Sequence, residues 1–346
     1  MKYTTIPGTQ TKVSKICLGT MTWGEQNNQE EAFQQMDYAV DQGVNFFDAA
    51  ELYPIPPNAK TYGDTERMIG NWFQKTGKRN EIVLATKVSG PAAFVAHIRD
   101  NLGFSDEAID QALENSLQRL QTDYIDLYQL HWPERPTNFF GQRGYHFYEG
   151  PLWKNNFHQV LKRLAFHIQA GKIRHIGVSN ETPWGLMKFL EIAKEYDLPL
   201  IRTVQNPYSL VNRLFEVGNA EICHNEDMGL LAYSPLAFGT LSGKYLDGKK
   251  PEKSRLALFP HYDRYNQGPC VEATRKYVAL AQKHGFKPAQ LALAFVTSRP
   301  FLTSNIIGAT TMAQLQENIG SIEVDLGEEI LKEINRIQES IPNPSP

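Results

Sequence analysis

Short β-rich runs alternate with amphipathic runs of helical length along this 346-residue chain, and no other feature narrows the fold so far. The β-rich runs are 16–19, 44–48, 81–87, 125–129, 173–178, 201–205, 229–233 and 305–307. Helices are expected over 29–42, 64–75, 105–121, 157–170, 182–196, 216–226, 270–284 and 288–298, with 311–320 and 327–339 after the last strand. Runs such as 82–86 (IVLAT) and 126–130 (DLYQL) are nearly continuously apolar, as strands buried on both faces must be. Strict β–α alternation implies a parallel sheet. A doubly wound sheet would carry G-x-G-x-x-G after an early strand. Here the first strand runs into Gly19-Thr20-Met21-Thr22-Trp23-Gly24 instead, and no linker divides the chain. The expected fold is therefore α/β, a (β/α)8 TIM barrel forming a single domain over 1–346. An N-terminal β-hairpin (2–6 and 12–15 around Pro7-Gly8), extra helices and long loops on the C-terminal face complete it.

In such barrels the chemistry sits at the C-terminal ends of the strands. Asp48 ends the second strand, Lys87 the third and His131 the fourth; Ser179-Asn180, Gln205 and Tyr233-Ser234 end the fifth, sixth and seventh. An aspartate alone at such a place is more often a turn or a cap. A histidine alone there is structural as often as catalytic. A lysine ending a buried strand, however, is costly unless paired or functional. Three adjacent strand ends would present Asp48, Lys87 and His131 to one mouth, with Tyr53 just beyond. That set suits carbonyl reduction. Hydride addition creates an alkoxide that needs a proton. A free tyrosine, with a pKa of about 10, gives one reluctantly. A neighbouring Lys87 ammonium, held by Asp48, is expected to lower the Tyr53 pKa, and His131 to orient the carbonyl oxygen.

The second half of the chain offers amide and hydroxyl groups for a nicotinamide carboxamide at Ser179, Asn180 and Gln205, and a flat ring at Tyr233. The small-residue loop 234–244 has amides suited to a pyrophosphate, and the 308–318 segment crosses from the last strand into a helix whose start would favour phosphate. Each also has a plain reading, as barrel packing or as a capped helix.

A formal net charge of −3 gives no reason to expect nucleic acid or a membrane surface as a partner. The three cysteines, Cys17, Cys223 and Cys270, are far apart and form no C-x-x-C, which fits a reducing compartment. The first ten residues lack an apolar signal core, and no apolar run reaches membrane-spanning length; a cytoplasmic protein is expected.

Taken in order, Leu-Gly-Thr-Met-Thr-Trp-Gly (18–24), Phe-Phe-Asp-Ala-Ala-Glu-Leu-Tyr (46–53), Ala-Thr-Lys (85–87), Asp-Leu-Tyr-Gln-Leu-His (126–131), Ile-Gly-Val-Ser-Asn (176–180), Gln-Asn-Pro-Tyr-Ser-Leu (205–210) and Ala-Tyr-Ser-Pro-Leu (232–236) span the chain. With them the sequence resembles the aldo-keto reductase superfamily, most closely its Tas-like bacterial branch. The resemblance implies a catalytic tetrad of Asp48, Tyr53, Lys87 and His131 with Tyr53 as general acid. It implies carboxamide contacts from Ser179, Asn180 and Gln205, a stacking ring at Tyr233, and ribose contacts from Thr20 and Met21. Around the pyrophosphate it places Ser234, Leu236, Gly239 and Lys244; around the adenosine 2′-phosphate and adenine it places Thr310, Gln314, Glu317 and Asn318. The implied cofactor is NADPH. Some relatives carry Lys or Arg in the segment that here reads Gly308, Ala309 and Gln314; Arg255 can supply that charge and so keep NADPH as the cofactor, while its absence from the segment itself implies a tolerance for NADH.

The loop between Pro133 and Trp153 carries Phe139, Phe140, Tyr145, Phe147 and Tyr148, which with Trp23 and Trp132 would either wall an aromatic substrate pocket or pack the loop onto the rim. A small-molecule aldehyde or ketone is the expected partner. Two other readings stay open. One is a Schiff-base aldolase with Lys87 as nucleophile. The other is a cofactor-binding sensor on the same fold with little turnover. A metal hydrolase is disfavoured, since no cluster has ligand spacing.

Overall fold

A computed structural model describes residues 1–147 and 153–345. Strands β1 (Tyr3–Thr5) and β2 (Lys12–Ser14) pair antiparallel as the N-terminal hairpin. Eight further strands follow: β3 (Ile16–Gly19), β4 (Phe46–Asp48), β5 (Val83–Val88), β6 (Ile125–Leu130), β7 (Ile173–Ser179), β8 (Thr203–Pro207), β9 (Gly229–Tyr233) and β10 (Leu302–Ile307). All pair in parallel with their neighbours, and β10 closes onto β3 to complete a barrel. The (β/α)8 expectation holds.

Helices α1 (Gln29–Asp41), α2 (Asp64–Thr76), α3 (Asp106–Leu120), α4 (Phe157–Gln169), α5 (Pro183–Glu195) and α6 (Asn219–Asn225) follow successive strands, and α7 (Arg255–Leu258), α8 (Gly268–Lys283) and α9 (Pro288–Thr297) lie between β9 and β10. The chain ends with α10 (Met312–Gly320) and α11 (Glu328–Ser340). Their starts are chemically marked. Asn28 and Glu31 form a reciprocal capping box on α1, while Ser105, Thr182 and Thr311 cap α3, α5 and α10. The helix expected over 216–226 is instead a 3-10 turn at Leu214–Val217 and the short α6, because Gly218 adopts a non-helical φ of −148° between them.

The strand pleat places the site. Inside the barrel Ile6, Val13, Cys17, Phe46, Ala85, Leu127, Leu231 and Ile306 form one apolar cluster, which the hairpin residues Ile6 and Val13 seal from below. Side chains two apart along a strand share a face. Stepping two residues past this cluster therefore gives Asp48 after Phe46, Lys87 after Ala85, Gln129 and then His131 after Leu127, and Tyr233 after Leu231. The helices bury their apolar stripes against the outer faces of the same strands, in a second and larger core.

Candidate active site

Asp48 and Lys87 meet across the β4–β5 pair, where Asp48 is in register with Ala85. Lys87 Nζ donates to Asp48 Oδ2 at 2.7 Å, to the Ala49 carbonyl at 2.6 Å and to Tyr53 Oη at 3.5 Å. Lys87 is fully buried and Asp48 is 2% exposed, so water contributes little to holding either charge. Asp48 Oδ1 accepts from Gln205 Nε2 at 2.9 Å. The His131 ring meets the Tyr53 ring edge-on, with centroids 5.9 Å apart. The four residues expected to act together do converge.

Their electrostatics differ in one respect from the expectation. Burial raises the Tyr53 pKa above the ordinary tyrosine value; the Lys87 ammonium pulls the other way but does not outweigh it, and Asp48 offsets part of that pull. Tyr53 is thus a phenol that keeps its proton at neutral pH rather than one primed to lose it. Burial also works against the Lys87 ammonium, yet Asp48 and Tyr53 overcome this and leave its pKa above the usual lysine value. A lysine held as an ammonium is a poor amine nucleophile, which counts against the aldolase reading. Burial, and then the Lys87 charge, push His131 well below the usual histidine pKa, so its imidazole is neutral. Its Nδ1 is buried without a hydrogen-bond partner among the described residues.

The neighbouring strand ends hold the carboxamide-type groups. Ser179 Oγ donates to the Gln205 carbonyl at 2.8 Å, and Asn180 Nδ2 donates to the His131 carbonyl at 2.9 Å. Tyr233 Oη donates to Asn180 Oδ1 at 2.6 Å. Thr20 Oγ1 donates to the Asp48 carbonyl at 2.8 Å, and the Met21 carbonyl accepts from Ile55 N. Ser234, Leu236 and Gly239 begin the loop beyond β9, with left-handed φ of 53° at Ser234 and 92° at Gly239. An added Cβ at Gly239 would stand 2.8 Å from Lys244 Cε, so this glycine lets Lys244 fold back over the loop. Lys244 Nζ lies 5.2 Å from the Tyr245 ring centre. Beyond β10, Thr310 N and Oγ1 both donate to Gln314 Oε1, Asn318 Nδ2 donates to the Gly308 carbonyl, and Glu317 pairs with Lys287 at 3.3 Å.

Arg255 sits over the Phe238 ring at 4.5 Å and near Tyr262, close enough to Tyr53 for its charge to be felt there. Its Nη1 is buried without a hydrogen-bond partner among the described residues, and burial lowers its pKa.

Trp132 stands beside His131, with ring centres 5.0 Å apart, beneath the rings of Phe94 and Phe140. Trp23 does not join it. That ring is fully buried in the outer core and donates from Nε1 to Gln35 of α1 at 3.1 Å, so the chain after β3 turns it under the rim and away from the mouth. Tyr148 lies outside the described residues.

Buried ion pairs form a frame that no motif signalled. Arg99 makes a two-pronged bond to Glu51, Arg135 does the same to Glu181, and Glu66 binds Arg119 and Thr86. A glutamate inside the otherwise apolar stretch after Asp48, and another after Ser179-Asn180, was the available signal. Their arginines lie 46 to 48 residues away, beyond the reach of spacing arguments.

Residues 15–339 match the model of the Aldo/keto reductase family. This chain belongs to the aldo-keto reductase family. Among individual relatives of this reductase, Protein tas of Escherichia coli is 49% identical over the full length of both chains. The uncharacterized oxidoreductase YrpG of Bacillus subtilis is 36% identical over 97% of this chain and 96% of its own. The aldo-keto reductase yakc [NADP(+)] of Schizosaccharomyces pombe is 29% identical, covering 92% of this chain and 85% of its own. The aldo-keto reductase described above is thus an oxidoreductase. No helix among its described residues is long and apolar enough to cross a membrane, and no group of three or more His, Cys, Asp or Glu there could hold a metal ion.

Proposed function

We propose that this chain reduces the carbonyl of a small aldehyde or ketone, with Tyr53 as proton donor and NADPH as the preferred cofactor. The observation that carries this reading is the buried contact set Asp48–Lys87–Tyr53, closed in by neutral His131 at the mouth of the barrel. The cofactor would supply a hydride to the carbonyl carbon.

The residues fit such a cofactor. Arg255 Nη1 and Tyr245 Oη are buried donors without hydrogen-bond partners among the described residues, which suits an anionic group. Gln205 spends its Nε2 on Asp48 and Gln129, leaving Oε1 to accept from a carboxamide. Ser179 and Asn180 would flank the same carboxamide, and Tyr233 would stack on the ring. Thr20 and Met21 would adjoin the ribose, Ser234, Leu236, Gly239 and Lys244 the pyrophosphate. Thr310, Gln314, Glu317 and Asn318 would adjoin the adenosine, with Arg255 offering the charge for the 2′-phosphate.

Each tetrad member has a distinct task. Tyr53 donates its proton to the carbonyl oxygen as negative charge develops there. Lys87, held charged by Asp48, stabilises the tyrosinate that remains. His131, being neutral, can donate one N–H to the same oxygen and orient it without adding a charge. Trp132, with Phe94 and Phe140, would give the substrate an apolar wall, which limits discrimination and favours a broad range of carbonyls.

The test is a titration with NADPH and NADH followed by intrinsic fluorescence, then turnover of 4-nitrobenzaldehyde. NADPH binding with aldehyde-dependent oxidation is expected. A preference for NADH by more than about tenfold in kcat/KM would overturn the NADPH assignment. Cofactor binding with no turnover of any reactive aldehyde would favour a sensor.

A further inference from the structure

Between Asp48 and Tyr53 the chain leaves β4 but does not leave β5. Ala49 N donates to the Ala85 carbonyl at 2.8 Å and Glu51 N to the Lys87 carbonyl at 3.2 Å, so the parallel ladder continues past the strand. One step further the Glu51 side chain takes over. Its Oε1 accepts from Ser89 N at 2.6 Å. Arg99 then closes on both carboxylate oxygens, Nη1 to Oε2 and Nη2 to Oε1, each at 2.6 Å. Glu51 is fully buried and Arg99 is 7% exposed.

A pair this deeply buried is a weak device for stability, since desolvating both ions offsets most of their attraction. Its position is more informative. Glu51 stands two residues before Tyr53, and its anchor Ser89 two residues after Lys87. The pair therefore ties the backbone carrying the phenol to the backbone carrying the ammonium. The Lys87–Tyr53 contact is 3.5 Å, at the outer limit of a hydrogen bond, so a few tenths of an ångström between these segments decide whether it exists. The charged groups that weigh most on Tyr53 are Lys87, Asp48 and Arg255, so the Glu51–Arg99 pair would act on it through position. On its other sides the pair faces Tyr62, Tyr128, Glu66 and Arg119.

We propose that the Glu51–Arg99 ion pair is a positioning element that sets the Tyr53–Lys87 distance, acting on the rate of proton donation and not on cofactor binding. This rests on Tyr53 being the proton donor.

The test compares Glu51→Gln, Arg99→Met and the double variant, with Tyr53→Phe in parallel. Each single variant is expected to lower kcat for 4-nitrobenzaldehyde by roughly 10- to 100-fold, as small misplacements of reacting groups do. KM and the NADPH Kd should change little. The alkaline limb of the kcat profile should move to higher pH, because a more distant ammonium no longer favours the tyrosinate. The double variant should lose no more than the worse single one, because the two residues act as a unit. It also leaves no unpaired buried ion, so it guards against loss of the fold. Arg99→Lys, which keeps the charge but not the fork, should fall between wild type and Arg99→Met. A double variant that binds NADPH normally, keeps the wild-type kcat and shows an unmoved alkaline limb, while Tyr53→Phe is inactive, would overturn the proposal and leave the proton-donor reading standing. Turnover retained by Tyr53→Phe would overturn both.

Discussion

Lys87 Nζ stands 2.7 Å from Asp48 Oδ2 at a place where neither side chain reaches water. Breaking such a pair by removing one partner strands the other charge, which typically costs about 3–5 kcal/mol. Asp48→Ala should therefore destabilise the barrel by about that amount and cut turnover sharply. Replacing both residues, as in Asp48→Leu with Lys87→Met, should recover much of the stability and none of the turnover. Denaturant unfolding of the three proteins, with kcat measured on each, checks this; an inactive but fully stable Asp48→Ala protein would contradict it.

His131 is held well below the usual histidine pKa by burial and by Lys87. Reduction should accordingly show no acid limb near pH 6.5, and kcat/KM should stay level from about pH 8 down through that range. Stability behaves differently. As the pH falls below the unfolded histidine value the unfolded chain takes up a proton that the folded chain refuses, so this residue withdraws stability on acidification. His131→Asn should lose less Tm than wild type between pH 7.5 and pH 5.5, and equal losses would refute the neutral imidazole.

Arg255 offers an Nη1 that is unpartnered among the described residues, beside the loop proposed to hold the cofactor's phosphates. If it meets the 2′-phosphate, Arg255→Gln should weaken NADPH at least tenfold, about 1.4 kcal/mol, and leave NADH nearly unchanged. Parallel fluorescence titrations decide it. An equal loss for both cofactors would place the guanidinium against the pyrophosphate or the substrate instead.

Gly90 lies against Trp132, where an added Cβ would come within 2.5 Å of Nε1 and 2.9 Å of the Trp132 carbonyl. Gly90→Ala should displace this ring, raising KM for aromatic aldehydes more than for short aliphatic ones, at a stability cost of about 1–3 kcal/mol. An unchanged ratio of the two KM values would show that Trp132 does not wall the substrate pocket.

The barrel and its ring of polar strand ends were legible because one periodicity carries both. The alternation that buries Phe46, Ala85 and Leu127 also delivers Asp48, Lys87 and Gln129 to the rim. Helix ends were legible where a cap announced them, as at Thr182-Pro183. Trp23 was not, because nothing local says whether a residue just past a strand end covers the mouth or tucks under a helix; its bond to Gln35 settles that only in three dimensions. The direction of the Tyr53 shift was hidden for a similar reason. Sequence supplies the neighbouring lysine but not the depth of burial, and burial outweighs it. The Glu51–Arg99 and Glu181–Arg135 pairs join segments whose closeness exists only once the barrel has closed.

The proposed reaction turns on proton donation by Tyr53. Its most direct test is Tyr53→Phe, assayed for 4-nitrobenzaldehyde reduction at saturating NADPH alongside a fluorescence titration of the same sample. Turnover lower by three orders of magnitude or more, with the NADPH Kd unchanged, is the predicted result; turnover within about tenfold of wild type would mean that the proton comes from elsewhere.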